Sequence, residues 1–193
     1  MKRLGTAEKI RRAALKLFER GGADAVSMRR VADGAGITPM AIYRHFSSRD
    51  ALLKQLSDSS FQTMADEWRV QAGHVDPVQR LPALLMPYLD YALEHPHLFD
   101  HAFSLRRDDA RRFPEGFRER QSPTLTVVAD AIAEGIEQGA LRPDDPWDVA
   151  MTLWAHSHGL IALYRAGRFS YDEAQFRTFY LESLERLING IRT

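Results

Sequence analysis

Residues 27–53, SMRRVADGAGITPMAIYRHFSSRDALL, constrain the fold of this chain more than any other stretch. Ser27 can cap a helix whose apolar positions Met28, Val31, Ala32 and Ala35 recur at helical spacing. Gly34 and Gly36 are expected to break it, because glycine takes the left-handed conformation that closes a helix. Thr38 then offers a second cap oxygen, and Pro39 sits at the first helical position, where its missing N–H is no loss. In this second helix Ile37, Ala41, Ile42 and Phe46 fall on one side, and Pro39, Met40, Tyr43 and Arg44 on another. Two short helices around a tight turn, the second displaying an outward face, describe a DNA-reading helix-turn-helix.

The same residues carry a family resemblance. Val31-Ala32, Gly36-Ile37, Tyr43-Arg44-His45-Phe46, Arg49 and Leu52-Leu53 follow one another in order. They come after a helix from Thr6 to Gly21 that ends Leu17-Phe18-Glu19-Arg20-Gly21-Gly22. Residues 6–53 thereby resemble the N-terminal domain of the TetR/AcrR family of bacterial transcriptional regulators. Arg49 stands where that family usually has Lys, which keeps the charge. Met40 and Ala41 are apolar where many relatives are polar. The resemblance implies a repressor that binds a palindromic double-stranded DNA operator as a homodimer and is released by a small-molecule effector. It also implies that Tyr43, His45 and Arg49 meet the DNA backbone as donors to phosphate. Arg44 can fork onto guanine, while Pro39 and Met40 suit the thymine methyl group. Ser27, Arg29 and Thr38 complete the expected DNA-binding set.

Formal net charge over the 193 residues is +0, which alone would argue against a nucleic-acid partner. The distribution reverses that impression. Residues 1–54 hold twelve Lys or Arg and five Asp or Glu, a net +7, so residues 55–193 carry −7. A basic head can dock on phosphate while an acidic body is repelled from it. No cysteine is present, so disulfides, thiol catalysis and Cys-based zinc sites are excluded. No long uncharged apolar run occurs and MKRLGTAEKIRR lacks an apolar signal core, so a cytoplasmic location without membrane association is expected.

Apolar spacing predicts helices over 6–20, 48–70, 77–94, 97–105, 122–139, 146–166 and 172–191, and no segment alternates like a strand. The fold class is therefore all-α, with a helix-turn-helix DNA-binding domain over 1–50 and a helical ligand-binding and dimerisation domain over 51–193. Ser47 with Asp50 is expected to cap the long helix that links them as a rod. A loop is expected at 72–76 and a charged mobile connection over 106–120. Tyr91-Ala92-Leu93-Glu94-His95-Pro96 and Trp154-Ala155-x-x-His158-Gly159-Leu160 fit one branch of the same family, more loosely.

His95, His97 and His101 make an H-x-H-x3-H cluster, and His97 and His101 have the i, i+4 spacing at which two imidazoles can share a metal. Histidines also line aromatic pockets and helix ends, no Cys accompanies them, and neither a metal nor a cofactor is expected. There is no nucleophile motif, phosphate loop or HExxH, so no enzyme is expected. A different class of reading remains open: an all-α ligand- or metal-binding protein, or small enzyme, whose N-terminal helices only support the fold. Met64, Trp68, Tyr88, Tyr91, Phe99, Phe103, Met151, Trp154 and His158 mix apolar bodies with polar tips and are the candidate ligand-binding set, with aromatic compounds and lipophilic cations as first candidates. Phe176, Tyr180, Leu184, Leu187 and Ile188 form a stripe too wide for a terminal helix to hide, and Ala155 and Gly159 offer a flat surface. These seven are the expected dimer interface.

Overall fold

The computed structural model describes residues 5–71, 76–103 and 110–193. Expectations for 72–75 and 104–109 lie outside the described residues. Ten helices and no strand occur among the described residues. They fall into two compact units. The first runs to Phe61 and takes in the stretch that begins at Tyr91; the second holds Gln62–Asp90 and everything described from residue 110 onward. The expected 1–50 domain thus lies inside a larger unit.

In the first unit α1 (Thr6–Ala25) buries Ile10, Ala13, Ala14 and Phe18 along one face. Burying each of the larger two contributes roughly 1.5–3 kcal/mol. The helix runs past residue 20 because it kinks rather than stops: Gly22 sits at φ 65° and Gly21 is also non-helical. A Cβ at Gly22 would meet the His97 ring at 3.3 Å, so glycine is needed there twice over. Helix α2 (Met28–Ala35) is capped by Ser27, whose Oγ accepts from Arg30 N at 3.2 Å, and it ends at Gly36 with φ 67°. Gly34 is no breaker. It lies inside α2, where an added Cβ would come within 3.2 Å of the Ala13 Cβ, so its role is to let α1 and α2 approach closely.

Helix α3 (Pro39–Tyr43) starts at Thr38, whose Oγ1 accepts from Ala41 N at 3.3 Å. Ile42 and Phe46 anchor it in the core. Helix α4 (Arg49–Gln71) is capped by Ser48, not Ser47: Ser48 Oγ accepts from Ala51 N at 3.0 Å. Helix α5 (Pro77–Glu94) leads into α6 (Pro96–Phe103), which packs on α1. His101 meets the Phe18 ring edge-on at 5.5 Å, His95 Nδ1 lies 3.5 Å from Glu19 Oε1, and His97 covers Gly22. The three histidines each have a packing role on α1. Among the described residues no group of three His, Cys, Asp or Glu is arranged to hold a metal.

The second unit is built around α8 (Pro123–Glu137), which buries residues on nearly every side from Leu125 to Gly135. A Cβ on Gly135 would meet Leu141 Cδ1 at 2.8 Å, so the turn after α8 folds back over the glycine. Short α7 (Glu115–Arg118) precedes α8, and α9 (Pro146–Arg165) packs between α8 and α10 (Glu173–Ile191). Asp145 caps α9, and Asp172 with Gln175 forms a complete capping box on α10. Tyr180 Oη donates to the Leu85 carbonyl at 3.1 Å, and Arg80 Nη1 reaches Glu134 Oε2 at 2.6 Å.

Here the expected dimer stripe needs correction. Phe176, Tyr180 and Leu184 have no exposed surface and Ile188 only 3%, so all four belong to the chain's own core. The Phe176 ring stacks on Tyr164 at 3.9 Å. The stripe looked too wide because α9 and the α5 segment of this unit both contact it, and side chains pointing at two neighbours cover a broad arc. Of the seven residues, Ala155 is exposed, and Gly159 and Leu187 are partly so.

Candidate nucleic-acid interface

Two caps and two glycines set up the outward surface of the head. Gly36 ends α2 and the Thr38–Pro39 pair starts α3 three residues later, so one short turn of helix presents an outer side to solvent. Ile42 at 0% exposure pins its inner side. That leaves Met40 71% and Tyr43 51% exposed, with Pro39, Arg44 and His45 also at the surface. Large apolar groups stand this far into solvent in few places, and a contiguous arrangement marks a contact surface.

The same unit carries exposed cations. Lys9, Lys16, Arg20, Arg29 and Arg44 are exposed, and among the described residues none has an ion-pair partner. Others are engaged: Arg11 and Arg12 with Glu8, and Lys54 with Asp58. Lys9, Lys16 and Arg20 were counted in the basic head but not singled out from the sequence. Their freedom depends on which acids fold near them, which spacing does not reveal. Unpaired surface cations release counterions from a polyanion and so drive salt-dependent association.

Arg49 has a positioning role within its own unit. Its Nε donates to the Val26 carbonyl at 2.8 Å, Nη2 donates to the Ala23 carbonyl, and Nη1 faces Asp50 at 3.4 Å. A guanidinium with Nε and Nη2 on backbone carbonyls fastens the start of α4 to the end of α1. Arg30 does similar work, donating to the Ala25 carbonyl at 2.7 Å. Ser27 and Thr38 use their oxygens as caps and keep a hydroxyl hydrogen to donate.

The candidate ligand residues divide. Tyr91, Phe99 and Phe103 belong to the first unit, where Phe61 lies 5.3 Å from Tyr91 and 5.5 Å from Phe103 by ring centroid. Burial pushes the Tyr91 phenol up to about 12, with the neighbouring Ser60 hydroxyl offsetting part of the effect. Met64, Trp68, Tyr88, Met151, Trp154 and His158 belong to the second unit. There Tyr88 Oη and His158 Nδ1 are 3.0 Å apart, Trp154 packs on His158 at 5.7 Å, and Phe117 reaches Trp154 at 6.5 Å. Burial holds the His158 imidazole below its ordinary range. Trp68 Nε1 is buried and has no hydrogen-bond partner among the described residues.

Residues 10–56 match the tetR family of bacterial regulatory proteins, and residues 81–189 match the tetracyclin repressor-like C-terminal domain. The HTH-type transcriptional repressor KstR2 of Mycobacterium tuberculosis is 28% identical over 137 residues, 68% of this chain and 66% of KstR2. That match therefore spans just under two thirds of the relative's length. The HTH-type transcriptional regulator UidR of Escherichia coli is 24% identical over 97% of this chain and 93% of its own. Among solved structures, the regulator FadR of Bacillus subtilis in complex with stearoyl-CoA superposes with a TM-score of 0.74 at 16% identity, covering 95% of this chain and 98% of FadR. At that identity the likeness is one of fold.

Proposed function

This chain belongs to the TetR family of bacterial regulatory proteins, and from that premise we propose that it represses transcription by binding a palindromic operator as a homodimer and releases it on binding a small, mostly apolar effector. The observation that carries the DNA reading is the capped single turn of α3, which exposes Met40, Tyr43 and Arg44 on a unit with four further exposed cations that have no ion-pair partner among the described residues. Arg44 is assigned to a base edge, and Tyr43, His45, Arg29 and the α1 cations to phosphates. Arg49 is assigned to positioning. Such a protein works in the cytoplasm, where its DNA is.

A two-fold dimer doubles the contacts and fixes the half-site spacing at about one helical turn or a multiple of it. The face that supports it carries Ala155, Gly159 and the 48%-exposed Leu163 on α9, with Phe179, Ser183 and Leu187 on α10. His156 Nε2 and Ser183 Oγ, 2.9 Å apart, tie the two helices together there. For the effector, the support is the second unit's aromatic set of Tyr88, Trp154 and His158 and a buried Trp68 Nε1, without a hydrogen-bond partner among the described residues, that a ligand oxygen would satisfy. An effector weakens DNA binding only through its differential affinity for two states, typically about 1–3 kcal/mol.

The test is a mobility-shift titration of the full chain against DNA from its own genome at several salt concentrations. A sequence-selective complex whose log K falls linearly with log salt is expected. Binding without sequence preference at every salt concentration would return the N-terminal helices to a supporting role.

A further inference from the structure

We infer that Met40 reads the 5-methyl group of a thymine in each operator half-site, a step that rests on the DNA-binding function proposed above. In the first unit Met40 is the one wholly apolar large side chain found exposed among the described residues, at 71%. Its neighbours offer little else for a base edge. Pro39, Ala41 and Ile42 carry no side-chain donor, and Thr38 Oγ1, which accepts from Ala41 N, keeps a single hydroxyl hydrogen to give. Polar readout on this turn begins only at Tyr43 and Arg44.

The surroundings decide what such a side chain meets. Arg44, four residues from Met40, and the exposed Arg29, Lys9, Lys16 and Arg20 of the same unit attract a polyanion to this unit. In the major groove of a DNA duplex every base edge presents hydrogen-bonding groups, and thymine alone adds an apolar one, its methyl. A thioether laid over adenine, guanine or cytosine strips water from donors and acceptors without replacing their bonds. Laid over thymine it buries two apolar groups against each other. Methionine has three rotatable bonds with which to reach that methyl from a short helix. Discrimination at this position therefore comes from contact with one group and from desolvation of the other three bases.

The experiment begins with the full chain and a randomised pool of DNA duplexes, from which bound sequences are enriched. In the resulting duplex each thymine is replaced singly by deoxyuridine, which removes only the methyl, and affinities are compared at fixed salt. One thymine per half-site is expected at which the replacement weakens binding about four-fold, the worth of one buried methyl-sized group, and about sixteen-fold when both half-sites are changed. Met40→Ala is expected to bind the thymine and uracil duplexes alike at that position with an unchanged melting temperature, and Met40→Leu to keep the preference. A flat uracil scan of the parent overturns the inference while leaving the operator reading intact. A uracil penalty that survives in Met40→Ala overturns it too, by giving the methyl to another residue. Failure to enrich any duplex overturns the operator reading and this inference together.

Discussion

Helices α3 and α10 draw on similar residues and use them oppositely. The five residues of α3 include Met40, Ile42 and Tyr43, and only Ile42 is buried. Along α10 the aromatic and aliphatic positions Phe176, Tyr180, Leu184 and Ile188 are all buried within the chain. Length explains the difference. A single turn can pin one or two side chains in the core and must leave the rest outside. A helix of five turns packed against two neighbours hides everything on a wide arc. An exposed apolar group on a short, capped turn is therefore informative about function, and a long apolar stripe is informative mainly about packing.

The largest effect that could break this comparison comes from α10. Leu184→Ala removes a side chain with no exposed surface and is expected to lower stability by about 2–5 kcal/mol, read by urea denaturation. Met40→Ala should leave stability within about 0.5 kcal/mol of the parent, as surface substitutions usually do. A Leu184→Ala protein of parental stability that dissociates into monomers would put the stripe back at the interface.

Next in size is Arg49. Replacing it by Ala removes two charge-assisted bonds to the Ala23 and Val26 carbonyls, and hydrogen bonds to charged groups contribute about 1.5–3 kcal/mol each. Since the side chain is about a third exposed, water compensates part of that, and a net loss of about 1–3 kcal/mol is expected. Tyr43→Ala should instead weaken DNA binding across all sequences at unchanged melting temperature. If Arg49→Ala keeps its melting temperature and loses only DNA affinity, the guanidinium belongs on phosphate after all.

The interface proposed for α9 is sharper to test through Gly159. An added Cβ there meets no atom within 4 Å in the single chain, so Gly159→Leu should fold as well as the parent or better. Against a second protomer the same side chain overpacks the seam, at a cost of about 1–3 kcal/mol, a roughly 5- to 150-fold weaker dimer by analytical ultracentrifugation. An unchanged dimer would move the contact elsewhere.

Several helix ends were legible from sequence because they rest on local chemistry. Helices were expected over 146–166 and 77–94, and stand at Pro146–Arg165 and Pro77–Glu94. Thr38, Pro39, Gly36 and Gly139 each did what their residue type dictates. The outward face of α3 was legible for the same reason. What the sequence hid is decided by distant neighbours. Gly34 answers to Ala13, Gly22 to His97, Arg49 to carbonyls more than twenty residues away, and α10 to two helices at once. The packing of His95, His97 and His101 on α1 was likewise hidden, because it depends on Glu19, Gly22 and Phe18 more than seventy residues away.

The smallest effect concerns acid, and it sets the second unit apart from the DNA-reading turn. Burial lowers the His158 imidazole, and to the same sign His156, below the ordinary value of 6.5. Between that folded value and 6.5 the unfolded chain binds more protons than the folded one, so stability rises with pH across the window. It is fully present above 6.5 and is lost as pH falls through the folded pKa. His158 is the residue to replace, because its Nδ1 and Tyr88 Oη share a 3.0 Å contact inside the aromatic set. Urea midpoints measured at pH 7.5 and 5.5 should show the parent weaker at the lower value and His158→Gln losing less over the same interval. A variant that loses as much as the parent would show that the acid response comes from other groups, carboxylates first among them.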